Sequence, residues 1–254
     1  NVNVFQIVDL SNDNTFVDAS VRTCIFSFIN NNNEYFTNFL KIINKEFIHL
    51  ESYNKKDLIK ESENLLSLFS QNSYEKNIIN KLQINKPLKD FYEVSQGLIP
   101  YDKYRGHDEF TIKNRIWHSN FKKNDSYKKE LKGGDINRYN IHWNGQLWIS
   151  YGEWLAAPRN IKFFISERIL IREIISNKMY CGYTKEEYYN TPSAINIINE
   201  LKVLDLKYSL TILNSKLLGW FLNKTSPKAN KGLFPKILVN DVRNIPLIKI
   251  TKEE

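Results

Sequence analysis

Cysteine is scarce in this 254-residue chain: Cys24 and Cys181 alone give no disulfide framework, which points to a reducing, cytoplasmic setting. Glycine and proline are scarce as well, at nine and seven, and this excludes low-complexity and collagen-like chains. No apolar run is clean enough to span a bilayer. The most apolar window, Asn160 to Ile175, is broken by Lys162, Glu167, Arg168, Arg172 and Glu173, well short of the ~18 uncharged residues a span requires. No basic-then-apolar leader opens the sequence. Material for a core is ample, with 42% hydrophobic and 13% aromatic residues. A chain of this length should bury roughly 70–75% of its unfolded surface.

Familiar catalytic patterns are missing too. There is no glycine-rich strand-turn-helix fingerprint, no Walker loop and no Gly-x-Ser-x-Gly elbow. Neither the Asn/Asp-Pro-Pro-Tyr/Phe motif, with which amino-methyltransferases hold their target, nor the Phe-x-Gly-x-Gly loop that meets S-adenosylmethionine occurs. His49, His107, His118 and His142 have no metal-ligand spacing and no cysteine neighbour, so no zinc site is expected. Glu200-Leu201-Lys202 matches half of a nuclease site, in which a carboxylate holds Mg²⁺ and a lysine polarises the water. With 28 lysines that tripeptide arises readily, and a helix-surface ion pair is the plainer reading. The chain is therefore expected to be non-catalytic alone, with no metal and no cofactor of its own. It opens on Asn1 and a strand-like run, which reads as a piece of a longer polypeptide.

What is present is an uneven charge. Residues 1–80 carry seven basic and ten acidic side chains, whereas residues 81–254 carry 29 and 18. Asn, Ile and Lys are abundant at 32, 30 and 28 residues, a drift expected of an AT-rich genome, but such drift would spread lysine evenly. Seven of the eight arginines also lie beyond residue 100: Arg105, Arg115, Arg138, Arg159, Arg168, Arg172 and Arg243. A guanidinium fork can grip phosphate or the guanine edge with two bonds. A soluble face with ordinary ion pairs is the alternative.

Along the chain, Val2–Leu10 and Thr23–Ile29 read as apolar strands. Thr37 is placed to cap a helix carrying Phe39, Ile43, Phe47 and Leu50 at helical spacing. Asp57 opens a second helix with Leu58, Leu65, Leu66 and Phe69, and Ser73 a third with Ile78, Ile79 and Leu82. Pro87 marks a boundary, after which Glu93–Tyr101 runs through a Gly-Leu-Ile-Pro turn and Gly133-Gly134-Asp135 forms another. Leu147–Tyr151 and Arg168–Ile175 are strand-like, Tyr208–Lys224 is one amphipathic helix, and Ile237–Val239 is a last short strand. The fold class is α+β: a helical connector followed by a mixed α/β region of short strands and a few helices.

From Gly97 onward the segments QGLIPYDKYRGHDEFT, LKGGDINRYNIHWNGQLWISYGEWLAAPRNIKFFISERILIREI, LTILNSKLLGWFLN and FPKILVNDVRNIPL follow in order. Together they resemble the TaqI-like C-terminal specificity domain of type II and type IIG restriction–modification enzymes and adenine-specific DNA methyltransferases. The resemblance covers roughly Pro87 to Ile248. It implies three parts: 1–33 as a remnant hairpin of a methyltransferase domain, 34–86 as a helical connector, and 87–254 as a DNA specificity domain. It further implies double-stranded DNA as partner and an upstream methyltransferase domain in the same polypeptide. That parent would use S-adenosylmethionine, with Mg²⁺ if it also cleaves, and would flip an adenine while this region reads the flanking bases.

Phosphate contacts position such a protein and base-edge contacts specify sequence. The loop Tyr101–Arg115 offers Lys103, Arg105, His107, Lys113 and Arg115, with Tyr101, Tyr104 and Phe110, as a major-groove probe. Lys122, Lys123, Lys128, Lys129 and Lys132 suit phosphates, or are simply a solvated face. Arg138 follows the double-glycine turn and either meets DNA or pairs with Asp135 or Glu153. Arg159, Arg168 and Arg172 alternate with apolar residues, and Arg168 and Arg172 share one strand face with Leu170; either that face meets DNA or the arginines pair with Glu167 and Glu173. Lys228 and Lys231 flank a late loop suited to phosphate contact. The five tryptophans are expected to be core rather than stacking platforms. A metal-dependent nuclease using Glu200 and Lys202, or a basic protein-docking domain, are the competing readings.

Overall fold

Val2–Asp9 (β1) and Cys24–Asn30 (β2) pair antiparallel, as their Val, Ile and Phe content predicts. This computed structural model describes residues 2–11, 16, 23–30, 36–60, 73–176, 178–226 and 236–248. It divides into two units, Asn1–Lys81 and Leu82–Glu254.

In the first unit the helix expected from Thr37 is a β-hairpin, Phe36–Ile43 (β3) with Glu46–Asn54 (β4). Phe39, Ile43, Phe47 and Leu50 match helical spacing, but the flanking Ile42, Ile48 and Tyr53 are strand formers. Asn44 and Lys45 decide the outcome. Both take positive φ, at 53° and 67°, as a two-residue turn whose twist matches its strands demands. The sheet order is β2-β1-β3-β4, with β1 and β3 parallel. Ile7 and Phe39 are its buried centre, packed by Val4, Leu50, Tyr53 and Leu58. Helix α1 (Lys55–Lys60) starts where the Asn54 side chain accepts the Asp57 N–H at 2.9 Å; Leu65, Leu66 and Phe69 of the expected second helix lie outside the described residues. The expected third helix is α2, Ser73–Gln83.

The second unit holds strands β5 (Glu93–Gln96), β6 (His118–Ser119), β7 (Tyr127–Leu131), β8 (Trp148–Ser150), β9 (Arg168–Arg172), β10 (Cys181–Thr184), β11 (Tyr189–Asn190) and β12 (Ala194–Ile198). Its helices are α3 (Glu109–Lys113), α4 (Lys162–Ile165), α5 (Leu206–Leu213), α6 (Lys216–Thr225) and α7 (Val239–Arg243). The strands form an antiparallel sheet β10-β9-β12-β5 and a mixed sheet β11-β7-β8-β6. In β12 every residue is buried, and in β9 all but Arg172, so both faces of these strands are covered. One core cluster joins Leu98, Ile149, Leu155, Phe164 and Tyr189; another joins Leu131, Ile136, Leu170, Tyr188 and Ala194. The architecture is α+β.

Gly97 is required by a close approach. A Cβ there would collide with the carbonyl oxygens of Asn190 and Thr191, against which Leu98 N–H donates to Asn190 at 2.9 Å.

Two expectations in this unit are corrected. The helix expected over Tyr208–Lys224 is broken into α5 and α6. The Asn214 side chain turns inward, accepting from Cys181 N–H (3.1 Å) and donating to its carbonyl (2.9 Å), and Ser215 restarts the helix by accepting the Leu218 N–H at 3.2 Å. Short polar side chains compete in this way with the helix ladder. The strand expected at Ile237–Val239 reduces to one bridge, Ile174 with Lys236, before α7 begins at Val239. There Asp241 accepts the Leu238 N–H at 2.8 Å and sets the helix start.

Candidate nucleic-acid interface

The basic segment after Tyr101 is a built loop. Asp102 accepts the Tyr104 N–H at 2.8 Å and caps a single 3₁₀ turn over Lys103–Arg105. Gly106, at φ 88°, reverses the chain in the left-handed region that glycine tolerates. Asp108 then accepts the Thr111 N–H at 2.6 Å and caps α3; that bond holds its carboxyl below the usual range.

Side chains bolt the loop to the mixed sheet. The Tyr101 hydroxyl accepts the Trp117 N–H (2.9 Å) and meets His118 Nδ1 at 2.8 Å. The other ring nitrogen, Nε2, turns toward Glu130. That nitrogen lies 3.3 Å from Glu130 Oε2, and the two side chains are 7% and 3% exposed. The two are within ion-pair distance, but their alignment is too poor for a hydrogen bond. Strand register explains the meeting: His118 and Lys128 both pair with Ile149, and Glu130 points to the same face two residues on. Burial pushes the Tyr101 phenol up to about 12.

His107 is held from both sides, Nδ1 accepting the Asp102 N–H at 3.3 Å and Nε2 donating to the Trp154 carbonyl at 3.0 Å. It is a loop fastener with both ring nitrogens engaged, rather than a free base-reading group. Arg105 gives Nη1 to the Ala156 carbonyl at 2.7 Å, while its side chain stays 59% exposed. Lys103 and Arg115 are exposed, and Lys113 reaches Glu109 at 3.0 Å one helical turn back. Tyr104 and Phe110 stand in water at 93% and 71% exposure.

The remaining candidates scatter. Lys132 is exposed beside the Gly133-Gly134 turn, where Asp135 accepts its N–H at 2.7 Å. Arg138 pairs with neither Asp135 nor Glu153; its Nη2 donates to the Asn214 carbonyl at 2.8 Å and its guanidinium lies over the Tyr139 ring. Arg159, at φ 64°, is half-buried and reaches Gly97 O at 3.4 Å. Arg172 donates to Ile136 O at 2.7 Å and covers the Tyr180 ring. Arg168 is fully buried and donates to the carbonyls of Ser166 (3.0 Å), Glu186 (3.0 Å) and Tyr188 (2.7 Å). Burial lowers its pKa to about 10, so it stays charged at neutral pH. A DNA contact by Arg168 is excluded by that burial, and the expected carboxylate pairs of Arg168 and Arg172 are replaced by carbonyl bonds. Lys228 and Lys231 lie outside the described residues.

Most of the other lysines are engaged locally. Lys122 meets Asp125 and Lys128 meets Glu187, at 3.0 and 3.1 Å. Lys123 covers Tyr127, and Lys129 covers Trp143 and Tyr188. Trp143 packs edge-on to Trp148, and Trp117 against Trp154, which is 42% exposed. Glu200 and Lys202 lie on the loop after β12, not on a helix, and line a cleft with Glu167 and Asp205. Among the described residues no group of three or more His, Cys, Asp or Glu could hold a metal ion, and no helix is long and apolar enough to cross a membrane.

Comparison with known proteins gives one family. Residues 128–247 match the TaqI-like C-terminal specificity domain, a span that leaves the loop at 101–117 outside it. No curated protein matches the chain. One solved structure that matches is the type IIL restriction-modification enzyme MmeI in complex with DNA, at 11% identity and a TM-score of 0.48. The match covers 99% of this chain and 36% of that one, so the chain spans little more than a third of its length.

Proposed function

We propose that this chain, which carries a TaqI-like C-terminal specificity domain at residues 128–247, reads double-stranded DNA for a restriction–modification enzyme. The family match is the observation that carries the reading. The capped loop with exposed Lys103, Arg105 and Arg115 supports it, because fixed cations at a loop tip suit groove and phosphate contact. The parent enzyme, in this reading, is a cytoplasmic adenine methyltransferase of type IIG kind. A methyltransferase domain elsewhere in the polypeptide flips and methylates the base, and the present residues hold the duplex on either side of it.

The Phe-x-Gly-x-Gly loop that would meet S-adenosylmethionine and the Asn/Asp-Pro-Pro-Tyr/Phe motif that would hold its target are both missing from this sequence. Mg²⁺ finds no fitting group among the described residues. No step through either group is assigned to this chain. Its own residues bind and orient.

Fluorescence anisotropy of the whole chain with a labelled duplex pool tests the proposal. Affinity should fall steeply with salt, and repeated selection should enrich one short sequence. Lys103→Ala and Arg115→Ala should each flatten the logarithmic salt slope by about one if they meet phosphates, or relax one base position if they read edges. A folded chain that ignores duplex DNA at low salt overturns the reading.

A further inference from the structure

We propose that Tyr104 and Phe110 form a stacking platform for bases that have left the duplex stack, making the 101–117 loop a reader of locally opened DNA. The inference rests on the DNA reading above and adds a substrate state to it. Large aromatic side chains normally bury most of their surface, and each one left in water keeps apolar area unfavourably hydrated. Here they are 93% and 71% exposed. The loop that carries them is not loose: Asp102 and Asp108 cap its two turns, and Arg105, His107 and Tyr101 fasten it at three points. Tyr104 sits in the first turn and Phe110 in the second, so the same bonds that rigidify the loop fix both rings outward.

The choice of occupant follows from charge. Lys103, Arg105 and Arg115 are exposed on the same loop as the rings, while the loop carboxylates are taken up: Asp102 by a backbone N–H group and Arg105, Asp108 by a backbone N–H group, Glu109 by Lys113. An apolar protein partner has no need of that cationic fringe, whereas a base presents a π face with a phosphate attached. Every base has such a face, so the platform is sequence-tolerant and favours any opened nucleotide. Bases inside an intact duplex are already stacked and offer it nothing.

The test uses the full chain and two probes of one sequence: a fully paired duplex and the same duplex with a three-nucleotide single-stranded gap. The chain should bind the gapped probe about tenfold tighter, the scale of one stacked base. Tyr104→Ala with Phe110→Ala should abolish that margin, so that the variant binds the two probes equally. Phe110→Trp should keep it. Both rings are solvent-exposed, so the alanine variant should retain the native tryptophan emission and unfolding midpoint. Equal affinity for the two probes, or a margin that survives the double alanine variant, overturns the platform while leaving duplex recognition standing. Failure to bind either probe removes both proposals together.

Discussion

Arg168→Met keeps the length and apolar stem of the side chain and removes the guanidinium. The carbonyls of Ser166, Glu186 and Tyr188 then lose a donor that now sits 3.0, 3.0 and 2.7 Å away, at a position with no solvent exposure. Hydrogen bonds to a charged group contribute about 1.5–3 kcal/mol each, so the gross loss is about 4–9 kcal/mol. Desolvation offsets part of it. Burial lowers the guanidinium pKa from 12.5 to about 10, and at about 1.4 kcal/mol per pKa unit removing the charge returns about 3 kcal/mol. A net destabilisation near 3 kcal/mol is expected, with Arg168→Lys intermediate because one ammonium does not span three divergent carbonyls. Urea unfolding followed by tryptophan emission measures it cleanly. All five tryptophans (117, 143, 148, 154 and 220) lie in the second unit, so the midpoint reports that unit alone. A methionine variant with the parental midpoint but no DNA affinity would show the guanidinium acting on a ligand and refute the reasoning.

Gly97→Ala should cost about 3 kcal/mol or more, because the new methyl meets two backbone oxygens rather than a side chain that can swing away; a shift of the urea midpoint worth under about 1 kcal/mol contradicts it. Glu51 tests the first unit by pH. The hydrogen bond from Lys76, with a second from the Tyr53 hydroxyl, holds its carboxyl below the ordinary 4.5. A depressed acid stabilises the fold above its unfolded pKa and loses that contribution as pH falls through the lower folded value. Glu51→Gln should therefore flatten the decline in protection of β3–β4 amides between about pH 5 and pH 3. The side chain is 50% exposed, so solvent screening limits the effect to under about 1 kcal/mol. Identical pH profiles for the variant and the parent chain would remove Glu51 from the account.

Sequence spacing made much of the second unit legible, and its failures have physical causes. Arg168–Ile175 reads as strand-like from its Ile and Leu content and β9 forms within it, whereas β12, just as buried, is interrupted by Asn196 and carries no such signal. The hairpin at 36–54 did not, because Phe39, Ile43, Phe47 and Leu50 fit two periods at once and the turn that settles the matter is Asn44-Lys45, without glycine. The break at Asn214 depends on a contact with Cys181, far away in sequence. For the candidate interface, residue type announced the loop, but not which of its side chains are fasteners. A signal for Arg168 was present. It sits in a strand whose other face, Ile169 and Ile171, is also buried, so there was no open side for it to occupy. No spacing announced the meeting of His118 and Glu130, which depends on the order β7-β8-β6.

The seven arginines beyond residue 100 then acquire a different meaning. Arg105, Arg138, Arg159, Arg168, Arg172 and Arg243 each donate to a backbone carbonyl. Strands of two to five residues and frequent turns leave many carbonyls without a ladder partner, and buried ones must find a donor. A guanidinium, with five N–H groups in a rigid fork, serves several at once where lysine serves fewer. The enrichment that suggests DNA contact therefore has a structural origin at these positions, where each fork already gives at least one N–H to a carbonyl. Their positive charges remain and still draw a polyanion from a distance. Short-range discrimination falls to the groups left over. Arg115 is the one arginine of the seven whose side chain makes no carbonyl bond among the described residues; it is exposed, and its φ of 48° holds it where the 101–117 loop turns back. A non-glycine residue in that region costs of order 1 kcal/mol, a strain a glycine or asparagine at the same turn would relieve. In the proposed reading, charge that steers and charge that reads are thus carried by different residues, and Arg115 with Lys103 is where the second should be sought.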